Sequence, residues 1–243
     1  MKLTKRHVKF TSELRDQLAI YFNEHGYYLT DKEFVEFRYD SDTYSDYVWL
    51  YAGEDKWKKK FSTMIECART IKYIESYWDE YKKTPLAFSE KILLYTFSGV
   101  PYEKDPVSHA QKNPTRMEIP FDNCSIEDIS NKLIYSWETL LKPRLDQYSH
   151  IDKLDSVVNK TLEKIDFPVH NDGIWFYKMI IAKLAGNPMY EDIYTYISQL
   201  YKKCISDETM STHKEYYKTR LWVVEQLYLK LRDVKPLDNT SLI

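Results

Sequence analysis

His170 stands directly before Asn171 and Asp172 at the head of an apolar stretch. A histidine beside a carboxylate at the start of a helix is one arrangement that moves protons. His25 and Arg69 are the other polar side chains that could line a pocket with it, so these three are the catalytic candidates. The simpler reading of His170-Asn171-Asp172 is that Asn171 or Asp172 caps the helix that follows. Arg69 and Glu75 could equally form a surface pair worth under about 1 kcal/mol. The remaining histidines are His7, His109, His150 and His213, and none stands at metal-ligand spacing from a cysteine or a second histidine. Asp40, Asp42 and Asp46 suggest a calcium loop, but Ser45 occupies the sixth position, where that loop requires glycine. No metal site and no cofactor is expected.

Recognition chemistry is better represented. Tyr44, Tyr47, Tyr51 and Trp57 lie close together in the N-terminal half. Such rings offer large contact area at low entropic cost, so these four are the candidate binding residues. Lys56, Lys58, Lys59 and Lys60 surround Trp57 and make the one basic cluster. Interleaved lysine and aromatic residues are also what a single-strand nucleic-acid binder uses. Glu54 and Asp55 beside them weaken that field, and lysines on a strand edge also guard against aggregation.

The composition narrows the classes. A chain of 243 residues is long enough for a sizeable core. Its formal net charge of -2 gives no global basic excess for nucleic acid. Only five glycines are present, and neither GxGxxG nor GxxxxGK[ST] occurs, which argues against a glycine-rich phosphate loop. Cys67, Cys124 and Cys204 are odd in number and far apart, as expected of reduced thiols in a cytoplasm. The N-terminus lacks an apolar segment of signal-peptide length, and no apolar run reaches the length of a membrane helix.

The stretch Ser125–Tyr148 organises the elements that must position these residues. Ile126, Ile129, Leu133, Trp137, Leu140 and Leu141 recur at helical steps, Ser125 and Asp128 form a capping box, and Pro143 should end or kink the helix near Lys142. Upstream, Thr11 or Ser12 can cap a first helix carrying Leu14, Leu18, Tyr21 and Phe22, stopped by Gly26. Alternation predicts a strand over Glu33–Asp40, with a Thr30–Glu33 capping box as the competing helix. A polar turn at Asp40–Asp46 follows, then a β-rich Tyr47–Ala52, and Gly53-Glu54-Asp55 can reverse the chain. Trp57–Arg69 fits both periods. The turn signals before it favour a strand ending near Arg69, with a helix over Thr70–Lys82.

Further on, Lys91–Phe97 is a short apolar run, Ser98–Thr115 reads as a long loop, and Arg116–Phe121 as a last strand at a sheet edge. The spacing then predicts helices over His150–Ile165 (capped by Ser149 with Asp152), Asp172–Ala185, Met189–Cys204, and from Thr212 to Arg232. The expected fold is α+β: an N-terminal antiparallel sheet flanked by helices and packed on a C-terminal helical layer. Residues 1–124 form the sheet-containing half and residues 125–243 the helical half, sharing one core.

The step HGYYL at 25–29, short strands, LLKPRLDQYSHIDKL at 140–154 and then an apolar helix give an order of elements that resembles small bacterial α+β families of unknown function. Some of those lie beside toxin or defence genes. The likeness spans roughly two thirds of the chain, rests on no catalytic motif and carries over no functional residue. It implies a cytoplasmic bacterial accessory or immunity-type protein that binds another protein, with the helices beyond Met189 as an extension. The leading expectation is therefore a non-catalytic protein-binding module with an unidentified protein partner and no membrane association. The alternatives are an enzyme with a pocket near His25, Arg69 and His170, and a nucleic-acid-associated protein using the Lys56–Lys60 cluster.

Overall fold

The computed structural model describes residues 4–31, 35–81, 96–100, 103–104, 111–163 and 173–243. The architecture is α+β, an N-terminal antiparallel sheet followed by helices. The chain forms two compact units, Met1–Arg69 with Ser98–Asp146 and Thr70–Phe97 with Gln147–Ile243.

In the first unit, helix α1 spans Lys5–Glu24. It starts well before Thr11: the Thr4 hydroxyl accepts the His7 backbone N–H at 3.0 Å, and Phe10 extends the buried stripe Leu14–Leu18–Phe22 one turn upstream. Gly26, at φ 82°, ends it as expected. The sheet is built from β1 (Tyr28–Asp31), β2 (Glu36–Asp40), β3 (Tyr44–Asp55), β4 (Lys60–Ile71) and β5 (Phe97–Ser98) in that spatial order. β6 (Glu103–Lys104) and β7 (Gln111–Lys112) pair separately, and β8 (Met117–Pro120) joins β4.

β2 starts at Glu36, with Glu33 and Phe34 outside the described residues. Thr30 lies in β1 and donates its hydroxyl to the Glu36 carboxylate at 2.6 Å, so it caps no helix. The reversal expected at Gly53-Glu54-Asp55 falls later. β3 continues through those residues, and the turn is Lys56–Lys59, opened by the Asp55 carboxylate accepting the Lys58 N–H at 3.0 Å. Lys59 closes it at φ 49°.

The two-way reading of Trp57–Arg69 resolves as strand, leaving Trp57 in the turn. Phe61, Thr63, Ile65 and Cys67 share its buried face. The helix expected over Thr70–Lys82 shortens to α2, Lys72–Glu75, followed by turns to Tyr81.

The segment after Ser125 bends the helical rule rather than ending it. α3 (Ile126–Ser136) opens on the Ser125 hydroxyl, which accepts the Asp128 N–H at 3.2 Å. A π-helical turn, Trp137–Leu141, follows, and α4 (Lys142–Gln147) continues through Pro143. The Lys142 N–H reaches back five residues to the Trp137 carbonyl. This wide turn moves the stripe by one residue, so Leu141 and Leu145 are buried and Leu140 is exposed. Pro143, which has no N–H to give, is thus accommodated without a break.

The second unit holds α5 (Ile151–Val158), α6 (Ile174–Ala185), α7 (Tyr190–Ser206) and α8 (Lys214–Leu231). α5 is shorter than the predicted His150–Ile165, and the side chain of its N-cap residue, His150, does not cap it. Instead the C-terminal tail does so, since the Ile151 N–H donates to the Thr240 carbonyl at 2.7 Å. α6 is buried almost all round and stops at left-handed Gly186. α7 opens at Met189 with no side-chain cap, and Asn187 accepts the Met189 N–H at 2.8 Å in the turn before it. The helix expected from Thr212 starts at Lys214, after a 3-10 turn, Glu208–His213, capped by Asp207. Among the described residues, no helix is long and apolar enough to cross a membrane.

Candidate functional site

Two places in the first unit stand out. The first is a cavity of about 540 Å³. Its floor follows from strand alternation: Tyr44 and Asp46 lie two apart on β3, so both face the same side, where β4 presents Arg69. Arg69 is 1% exposed and forks onto Asp46, Nε to Oδ1 at 2.6 Å and Nη2 to Oδ2 at 2.8 Å. Nη1 donates to Asp146 Oδ1 at 3.2 Å, and the guanidinium lies 4.2 Å over the Tyr44 ring centroid. The buried Tyr27 hydroxyl also donates to Asp46, at 3.1 Å. Tyr39, paired with Asp46 across β2 and β3, and Trp137 of the π turn complete the inner wall. At the mouth stand Glu138, Lys142, Asp146, Tyr21 and His25.

Burial pushes the Asp46 carboxyl above the usual carboxylate range, against the two Arg69 hydrogen bonds that pull it down. Burial draws the Arg69 guanidinium down, but Asp46 and Asp146 more than reverse this and its pKa is raised. Burial also raises the Tyr27 hydroxyl, with the neighbouring Asp46 charge adding to it. At the mouth Tyr21 donates to Glu138 at 2.9 Å. His25 is exposed, lies tilted at 31° against the Tyr21 ring with centroids 4.1 Å apart, and holds its Nδ1 2.7 Å from the Tyr21 carbonyl oxygen. Lys142 lies 3.8 Å from Asp146. Asp46, Arg69, Asp146 and Lys142 are thus engaged with one another.

The second place is the β3–β4 hairpin. Along β3, Tyr47, Trp49 and Tyr51 face away from Tyr44 and Asp46. Tyr47 and Trp49 stack at 5.8 Å, Arg38 lies 5.1 Å over Tyr47, and Trp49 Nε1 donates to Glu36 at 2.7 Å. Tyr51 is 45% exposed, and at the tip Trp57 is 98% exposed, flanked by exposed Lys56, Lys58 and Lys59. Lys60 is less exposed and forms an ion pair with Glu118, and Lys58 lies 4.0 Å from Asp55. The tip is held from both sides, by Thr4 donating to Glu54 and by the Phe121 N–H donating to the Lys59 carbonyl at 3.0 Å.

Of the three catalytic candidates, His25 and Arg69 line one cavity, and His170 lies outside the described residues. The binding candidates divide, with Tyr44 in the cavity wall and Tyr47, Tyr51 and Trp57 on the hairpin. The sequence singles out none of Asp146, Glu138 and Trp137 as site residues, and it offers Asp46 only within the Asp40–Asp46 calcium-loop pattern that Ser45 argues against. The two-residue step from Tyr44 to Asp46 on one strand is the signal that would have paired those two. Among the described residues, no group of three or more His, Cys, Asp or Glu could hold a metal, and all three cysteines are free. No protein-family model matches this chain, no curated protein matches its sequence and no solved structure matches it.

Proposed function

We infer that this chain is a non-catalytic protein-binding module of accessory or immunity type, working in the cytoplasm, and that the β3–β4 hairpin engages its partner. The observation that carries this reading is Trp57, 98% exposed at the tip of two paired twelve-residue strands. Leaving a whole indole in water forfeits roughly 1.5–3 kcal/mol of burial that a large apolar side chain usually gains. Tryptophan is also the residue most enriched among interface anchors. The outward row Tyr47, Trp49 and Tyr51 would extend the contact down the hairpin, and the flanking lysines favour an acidic partner surface. The paired charges of the cavity support binding over turnover.

The test is affinity capture from an extract of the source organism with wild type, Trp57→Ala and Tyr51→Ala, read by quantitative mass spectrometry, with circular dichroism on each. One protein captured in stoichiometric amount and reduced about 30-fold by Trp57→Ala is expected, the effect of losing an anchor worth roughly 2 kcal/mol. Equal capture by the folded variants overturns the reading. Saturable binding of single-stranded DNA, lost with Trp57→Ala, would replace the protein partner with nucleic acid. Metabolite turnover abolished by His25→Ala would make the chain an enzyme.

A further inference from the structure

We propose that the cavity of the first unit binds a small organic cation, an ammonium or alkylammonium group, independently of the hairpin. The protein already shows there how a cation is held. The Arg69 guanidinium rests 4.2 Å over Tyr44 with carboxylates of Asp46 and Asp146 against its nitrogens. The ring surface continues past that point: Tyr44 to Tyr39 at 5.7 Å, Tyr39 to Tyr27 at 5.4 Å, Tyr27 to Trp137 at 5.8 Å. Aromatic faces carry negative potential, and several rings around one point are how alkylammonium groups are recognised.

The charges agree. Three lining carboxylates (Asp46, Glu138, Asp146) face two cations (Arg69, Lys142), which leaves one net negative charge among these five groups. Asp46 is buried against Arg69, whereas Asp146, which also accepts from Arg69, is 48% exposed, and Glu138, which accepts from Tyr21, stands at the mouth, so both can meet a ligand. Lys142 is 53% exposed and 3.8 Å from Asp146, a contact that an incoming ammonium can replace as the side chain swings into solvent. The volume suits a small molecule. The wall also contains the π-helical turn, which places Trp137 on the floor and Glu138 at the rim, and such turns gather at functional sites.

The test titrates the full chain with choline, tetramethylammonium, 3,3-dimethylbutanol (the uncharged counterpart of choline) and sodium acetate, followed by calorimetry. Saturable binding of both ammonium probes is expected, with the uncharged counterpart roughly tenfold weaker. Glu138→Gln and Asp146→Asn, both at the mouth, should each weaken choline about three- to tenfold with the melting temperature little changed. Choline and its neutral counterpart binding alike, acetate binding in preference, or saturation by neither ammonium at the highest soluble concentration would each overturn the proposal. The wild-type comparison needs no variant to fold, and its outcome leaves the hairpin reading untouched.

Discussion

Arg69 and Asp46 meet edge to edge, two nitrogens on two oxygens, with side chains only 1% and 2% exposed. They sit on different strands, 23 residues apart in sequence, and tie β4 to β3 beneath the cavity. The parallel hydrogen bonds give this ion pair a fixed geometry that a lysine could not copy. Both groups gave up water to be there, so the pair's net contribution is far smaller than its Coulomb attraction.

Breaking the pair from one side should therefore cost more than removing it whole. Arg69→Met leaves a buried carboxylate and is expected to destabilise the first unit by about 3–5 kcal/mol, with Asp46→Leu in the same range. The double variant should cost much less than the two losses added. Urea denaturation of all four proteins gives the coupling directly. Simple additivity would show that the two residues do not act as a unit.

The π-helical turn makes a second contrast. Trp137 and Leu140 both belong to the helical stripe of the sequence, yet Trp137 is 1% exposed and Leu140 42%. Trp137 meets Phe22 and Tyr27 edge-on at 5.7 and 5.8 Å. Trp137→Ala should cost about 3–5 kcal/mol, and Leu140→Ala about 0.5 kcal/mol or less. A Leu140→Ala loss above about 2 kcal/mol would place Leu140 in the core and rule out the wide turn.

That turn also marks where the sequence was legible and where it stopped being so. The Leu14–Leu18–Phe22 stripe, the Ser125 cap and the left-handed Gly26 are local signals, and they read true. The α+β class followed from them. Trp57–Arg69 carried both periods, and pairing with β3 and β8 decided for the strand, a choice made by residues distant in sequence. Pro143 signals a helix end in isolation, but a carbonyl five residues back supplied a register that no pattern of apolar spacing encodes. The site was legible only in part. Arg69 and His25 are suggested by residue type, while Asp46 falls in the polar stretch Asp40–Asp46 that reads as a turn; β3 instead begins at Tyr44, and Asp46 is buried against a partner 23 positions away.

In the second unit, Lys178 offers a pH test. Its side chain is fully buried, and Nζ donates to the Thr161 carbonyl at 2.7 Å. Burial pulls its pKa down to about 8, with the Asp155 charge pushing back. An unfolded lysine titrates near 10.4, so between about pH 8 and 10 the unfolded chain holds a proton that the folded one has released. Stability from this group must then rise with pH across that window. Urea midpoints at pH 7.5, 8.5 and 9.5 should climb for wild type relative to Lys178→Met. A falling difference would contradict the sign. Above that window buried Tyr177, whose pKa is raised by burial and then by Glu75, acts the other way.

Gly99 gives the last test, of packing alone. A Cβ at this position would lie 2.5 Å from Cys67 Sγ and 2.9 Å from Leu145 Cδ2, while its φ is not in the left-handed region. Gly99→Ala should therefore lose about 1–3 kcal/mol through overpacking rather than backbone strain. Gly53→Ala is the control, since its nearest neighbour would be the Ser62 carbonyl oxygen at 3.9 Å, an ordinary contact. Cys67→Ala removes the sulfur in the way and should itself be destabilising, because Cys67 is 1% exposed. Combined, the two changes should fit each other: the added methyl fills part of the space the sulfur left, and only Leu145, with Cδ2 at 2.9 Å and Cγ at 3.0 Å, remains close. The double variant should then be more stable than the sum of the two losses allows, by about 0.5–3 kcal/mol in a chemical-denaturation cycle. Strict additivity would mean that Gly99 does not abut Cys67, and the seat of β5 on β4 would have to be redrawn.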